Sequence, residues 1–322
     1  MVWDFKLFHI THSRYLLHDT GGADHPETPE RLRVIASALA GLNGCCRLLT
    51  VEPTPPEKEW LLTVHAAEYL LRFEEVALSG RSYLGHPDNQ LCYESFEIAI
   101  LATGAGLTGI DLLEKEAGSR VFCSVRPPGH HAEKTVALGF CFFNNVAIAA
   151  RYWQIKYARR RIAIIDFDAH HGNGIQSTFE EDPDVLYVST HEHPTFSFPG
   201  TGYAEEIGTG AGEGTILNIP LLPGAGDAEV KNAFVEQIIP AVEKFRPEAL
   251  IIAAGFDGHQ LDDMSGLLFS TELYGYLGRK IAALGDRLCE GRVISILEGG
   301  YHLPSLGASV KEYCRGIMER RK

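Results

Sequence analysis

Paired cysteines, positive charge and long apolar runs are all scarce in this chain. Its seven cysteines are scattered without a C-x-x-C pair, and Cys45 and Cys46 are merely adjacent. An odd, unpatterned set fits free thiols in a reducing compartment better than a disulfide framework. Positive charge is short too: 29 Lys and Arg against 42 Asp and Glu leave a formal net charge of −13. A nucleic-acid backbone is therefore a poor partner, whereas a cationic substrate suits such a surface. No apolar run approaches the roughly 18 residues needed to span a bilayer. The opening stretch MVWDFKLFHI has neither the basic start nor the unbroken apolar core of a signal peptide. A cytoplasmic protein without direct nucleic-acid or membrane binding is the expectation.

What is there is chemistry concentrated at the ends of apolar segments. In Ile162–Gly174, IAIIDFDAHHGNG, four apolar residues stop abruptly in aspartates, histidines and glycines. Near-continuous Ile, Val, Leu and Ala mark a strand buried on both faces. Side chains alternate along an extended segment, so Asp166, Asp168 and His170 can share one side at its carboxyl end. Oxygen and nitrogen ligands without thiolate suit zinc or another divalent first-row metal. A lone Asp-x-His is more often a helix cap followed by ordinary loop histidines. The rest of the chain decides against that reading.

Four more segments repeat the pattern. Arg120–Val125 runs into RPPGHHA with His130 and His131, and Val185–Val188 into STHEH. Ala249–Ala254 runs into GFDGH with Asp257, and Val293–Leu297 into EGGYH with Tyr301. Between them Asn144–Tyr157, Asp227–Lys244 and Thr271–Cys289 carry apolar residues at helical spacing. Strands alternating with helices predict an α/β fold around a parallel sheet. Ligands of such sheets bind outside the carboxyl ends of the strands, so five chemically equipped ends predict one crevice. Thr28 is positioned to cap a helix with Pro29 at its first position, ended by Gly41 or Gly44. Glu94–Ala117 reads as another helix, its glycines serving close packing, and Thr215–Pro220 as a short strand in a glycine-rich loop. No repeat or linker divides residues 1–322, which predicts a single domain.

The residue types assign provisional work. Histidine titrates near neutrality, so His130 and His131 are candidates for general acid and base. Asp166 and Asn173 are left as their partners: a carboxylate favours a cationic imidazole, whereas an amide orients one without charging it. Asp257 completes a three-ligand set with Asp168 and His170, which leaves an open position typical of catalytic zinc. Tyr301, after two glycines, is either a packed loop tyrosine or a hydrogen-bond donor to a developing oxyanion. Phe140 and Phe198 serve a core or a channel equally well from position alone.

HPETPERL, RPPGHHA, GFCFFNN, DFDAHHGNG, FPGTG, AAGFDGH and LEGGY together resemble the histone deacetylase superfamily, particularly its class II-like and bacterial members. They run in the family's order from His25 to Tyr301. The resemblance implies an arginase–deacetylase fold, with a parallel sheet of about eight strands flanked by helices. It implies zinc on Asp168, His170 and Asp257, the pairs His130–Asp166 and His131–Asn173, and Tyr301 polarising the scissile carbonyl. It places Gly139, Phe140 and Phe198 along an acyl-lysine channel, Met264 and Asp88 at its rim, and Arg31 near an acetate exit. It further implies a structural potassium at Asp166, Asp168, His170, Ser189 and Thr190. The expected substrate is acylated lysine in a protein or peptide, with a small acetylated amine such as a polyamine as the alternative. An arginase-type ureohydrolase would need two manganese ions and more carboxylates, and Gly258-His259 follows Asp257 where a further aspartate would be expected. A non-catalytic acyl-lysine binder would not need Tyr301 and both histidines.

Overall fold

The computed structural model describes residues 6–22, 24–42, 47–116 and 118–319; Gly44, Cys45, Cys46 and Ala117 lie outside them. The apolar segments become strands β1 (Lys6–Ile10), β2 (Arg47–Val51), β3 (Arg120–Cys123), β4 (Ile162–Asp166), β5 (Val185–Glu192), β6 (Ile216–Leu221), β7 (Ala249–Ala254) and β8 (Val293–Leu297). They pair in parallel throughout, in the order β2-β1-β3-β8-β7-β4-β5-β6. Every residue of β3, β4, β5, β7 and β8 is buried, as expected where helices cover both faces of a sheet. At the edge, β2 carries only exposed and half-buried residues.

The winding explains where the site lies. After β3 the chain skips two lanes to lay down β4, β5 and β6, then returns to fill the gap with β7 and β8. The carboxyl ends of β3, β8, β7 and β4 therefore stand side by side at the middle of the sheet. Such reversals of strand order are where open parallel sheets form their ligand crevices.

Several expected boundaries shift for physical reasons. The helix expected over Asp227–Lys244 has α-helical turns at Asp227–Ala233 and Ile239–Phe245, separated by a π-helical turn at Phe234–Ile238. Pro240 has no N–H to donate and its ring crowds the carbonyl four residues earlier, which a wider turn accommodates. Thr28 does not cap the first helix. That helix spans Glu30–Ala40 with Pro29 at the cap, while the Thr28 carbonyl accepts from the Arg31 N–H at 3.2 Å and Gly41 ends the helix. β5 runs on to Glu192, because its polar end is as buried as its start. The helix Ser95–Lys115 corrects the reading that no segment is long and apolar enough for a membrane span. It meets that test, yet 78% of its apolar window is buried inside the protein, so it is a core helix.

Candidate active site

Asp168 and His170 from the turn after β4 and Asp257 from the turn after β7 bring their donors within 4.8 Å of one another, all buried. Hydrogen bonds fix each of them. The Asp168 carboxylate accepts from the Gly299 N–H at 2.7 Å and the His170 N–H at 2.9 Å. Asp257 accepts from the Ala169 N–H at 2.9 Å. His170 Nε2 donates to the Met264 carbonyl at 3.1 Å, which turns Nδ1 toward Asp257 at 2.9 Å and Asp168 at 3.2 Å. Gly299 permits this crowding: a Cβ there would lie 2.3 Å from Asp257 Oδ2. Burial and the like charge of Asp168 push the Asp257 carboxyl up to about 6. Two buried carboxylates and one oriented imidazole nitrogen are a donor set that a divalent cation satisfies, and their chemistry fits zinc.

Two adjacent histidines from the loop after β3 face this cluster in opposite electrical settings. Their rings lie 4.0 Å apart. His130 Nδ1 meets Asp166 Oδ2 at 3.1 Å. Burial opposes charging His130, but Asp168 and Asp166 overcome it and raise its pKa to about 10. His131 Nδ1 meets an amide instead of a carboxylate, Asn173 Oδ1 at 2.8 Å. Burial, then the neighbouring His130 and His170, hold its pKa well below the usual histidine range. One imidazole is built to be cationic and the other to be neutral.

Tyr301 closes the site from the end of β8. Burial drives its phenol pKa well above 10, so the hydroxyl keeps its proton and can donate it in a hydrogen bond. Arg31 lies beneath, its guanidinium 4.8 Å from the Tyr301 ring centre. It donates to the Gly300 carbonyl at 2.6 Å and to the Glu298 carbonyl, and pairs with Glu27 at 3.0 Å. Phe140 sits 5.8 Å from Tyr301, and Phe198 sits 5.0 Å from His131 (ring centre to ring centre). Gly139 allows the approach: its φ is +54°, and a Cβ would come within 2.3 Å of the His131 ring. Asp88 is more remote. It is paired with His86 at 3.1 Å, and its carbonyl meets His25, whose ring packs 4.8 Å from Phe140.

The expected potassium residues divide. Asp166 and Ser189 are register partners on β4 and β5, so their side chains share a face. Thr190 is turned to the other face, where its hydroxyl is buried without a hydrogen-bond partner. It could join a cation beside Asp166 only through its backbone.

Three carboxylates escaped the sequence reading. Glu298 accepts from the Gly129 and His130 N–H groups at 2.7 and 3.0 Å. Asp262 accepts from the Tyr301 and His302 N–H groups at 2.6 and 2.9 Å. Glu27 is clamped between Arg31 and Arg126. Glu298 and Asp262 hold backbone partners distant in the chain, whereas Glu27 reaches Arg31 four residues on and Arg126 only through the fold.

Residues 25–317 match the histone deacetylase domain family. The chain is 39% identical over 311 residues to Histone deacetylase 10, chloroplastic, of Oryza sativa subsp. japonica, covering 91% of this chain and 70% of that one. It is 35% identical over 301 residues to the histone deacetylase-like amidohydrolase of Pseudomonas aeruginosa, covering 92% and 78%. The crystal structure of the HDA15 HD domain matches with a TM-score of 0.90 and 34% identity, covering 97% of this chain and 89% of that one.

Proposed function

This chain belongs to the histone deacetylase family, a deacetylase or amidohydrolase by that membership, and we propose that it removes acetyl or short acyl groups from acylated lysine. The observation that carries the proposal is the neutral His131 beside a buried Asp168–His170–Asp257 donor set. Those three residues would hold zinc, which would supply a Lewis acid for the amide carbonyl and lower the pKa of water.

The chain's own residues supply the rest. Phe140 beside Tyr301 and Phe198 beside His131, with Gly139 between them in close approach, would flank the aliphatic arm of an acylated amine. Tyr301 donates its phenolic proton in a hydrogen bond to the carbonyl oxygen, and the bond strengthens as that oxygen gains charge. His131 Nε2 takes a proton from the attacking water as the carbon–oxygen bond forms. It returns that proton to the amine nitrogen as the carbon–nitrogen bond breaks, leaving carboxylate and free amine. His130, cationic through Asp166, stays charged and helps keep His131 neutral. Arg31 would face the departing acetate, Met264 and Asp88 would meet the substrate at the rim, and a potassium ion would brace Asp166 and Ser189.

The test is product release from an acetyl-lysine peptide, a trifluoroacetyl-lysine peptide, acetylputrescine and acetylspermidine, each with and without a zinc chelator. Chelator-sensitive turnover of the peptides supports lysine deacylation. Turnover confined to the polyamines keeps the chemistry and overturns the substrate. Silence on all four with zinc bound points to a non-catalytic acyl-lysine binder.

A further inference from the structure

The tautomer of His131 depends on which way the Asn173 amide faces. With the amide oxygen toward His131, Nδ1 must carry the proton and Nε2 is free to act as base. With the amide reversed, its NH2 group faces Nδ1, and the proton moves to Nε2, where it blocks the base. Asn173 by itself does not choose between these states, since the two ends of an amide differ little in size.

Glu133 chooses. Asn173 Nδ2 donates to Glu133 Oε1 at 2.7 Å and to the His131 carbonyl at 3.3 Å, while Asn173 Oδ1 faces His131 Nδ1 at 2.8 Å. An ionised carboxylate only accepts, so it takes the NH2 end and rejects the oxygen end. The Glu133 backbone is itself held on both sides. Its N–H donates to the Val136 carbonyl at 3.0 Å. Its carbonyl accepts from His65 Nδ1 at 2.9 Å, because the other nitrogen of His65 accepts from the Asn144 N–H at 2.9 Å. We propose that Glu133 is a positioning residue: it locks the Asn173 amide, and through it keeps His131 in the tautomer that can take a proton. This rests on the reading of His131 as the base.

The test compares zinc-loaded wild-type protein with Glu133→Ala, Glu133→Gln, Asn173→Ala, the Glu133→Ala/Asn173→Ala double variant and His131→Ala. Nitrogen-15 imidazole spectra report the tautomer, and acetyl-lysine peptide turnover reports kcat and KM. Glu133 is half-buried at the surface, and melting curves establish that the variants fold. In Glu133→Ala the Nδ1–H tautomer is expected to give way to a mixture. Its kcat is expected to fall roughly ten- to a hundredfold, the scale of one hydrogen bond to a charged group, with KM little changed. Glu133→Gln, whose amide can turn either an acceptor or a donor to Asn173, should recover only part of the loss. With Asn173 already replaced, losing Glu133 should add nothing. The proposal is overturned if Glu133→Ala retains wild-type kcat and tautomer, or if its cost adds in full to that of Asn173→Ala. An active His131→Ala variant would instead remove the base itself, a separate failure.

Discussion

The inner wall of the site is made of strand ends, whereas its mouth is made of loops. On the wall, Asp166, Asp168, His170, Asp257 and His130 are buried, and each is tied by backbone or side-chain hydrogen bonds. At the mouth, Phe198 is 43% exposed, Phe140 is half-buried with a φ of +66°, and Asp88 is held chiefly by an exposed histidine. The wall is complete before any substrate arrives, which is what preorganised electrostatic catalysis requires. The mouth can adjust, and exposed loops on a rigid scaffold are where substrate choice resides. Turnover should therefore answer to the wall and substrate preference to the mouth.

The largest effect is expected from His131→Ala, about 10²–10⁴-fold in turnover with zinc still bound, the range of general acid–base catalysis. Metal content measured beside activity checks it; loss of zinc with activity would make His131 a ligand instead. Tyr301→Phe should cost on the order of a hundredfold in kcat, the scale for one oxyanion donor, and near-normal turnover would remove the phenol from the chemistry. A smaller effect, of a different kind, is expected across the boundary. Phe198→Ala should raise KM about five- to tenfold, from lost apolar contact, with little change in kcat. If kcat fell as far as KM rose, the division between wall and mouth would fail.

The mildest test concerns the wall's supports and uses the unaltered protein. Burial lowers the pKa values of His9 and His65 to about 4. A histidine with a depressed folded pKa favours folding above its unfolded value near 6.5. As pH falls from about 6.5 toward 4 the unfolded chain takes up protons that the folded one refuses, so stability declines through that window. Chemical denaturation at several pH values checks this; a stability independent of pH between 7 and 5 would mean that other groups offset these histidines.

The same contrast explains what was legible in the sequence. β4 could be read because its apolar run ends in acids and histidines, and β7 and β8 likewise end at Asp257 and Tyr301. β1 and β2 leave a weaker trace because neither has a continuous apolar run: His9 interrupts β1, and Arg47 and Thr50 interrupt β2. The helix Leu303–Ile317 begins two residues after Tyr301, with no side-chain cap to mark its start. Asp262 and Glu298 grip backbone N–H groups, and backbone partners leave no trace in residue spacing. The placement of Phe140 and Phe198 beside Tyr301 and His131 emerges only from the fold, because no residue spacing links those rings.

The most direct measurement is acetate release from an acetyl-lysine peptide by the purified protein, before chelation, after it, and after one equivalent of zinc is restored. The expected result is turnover that vanishes with the metal, returns with zinc, and stays absent in zinc-loaded His131→Ala. Turnover indifferent to chelation, or none from wild-type protein holding one zinc, would contradict a wall built for metal-dependent deacylation.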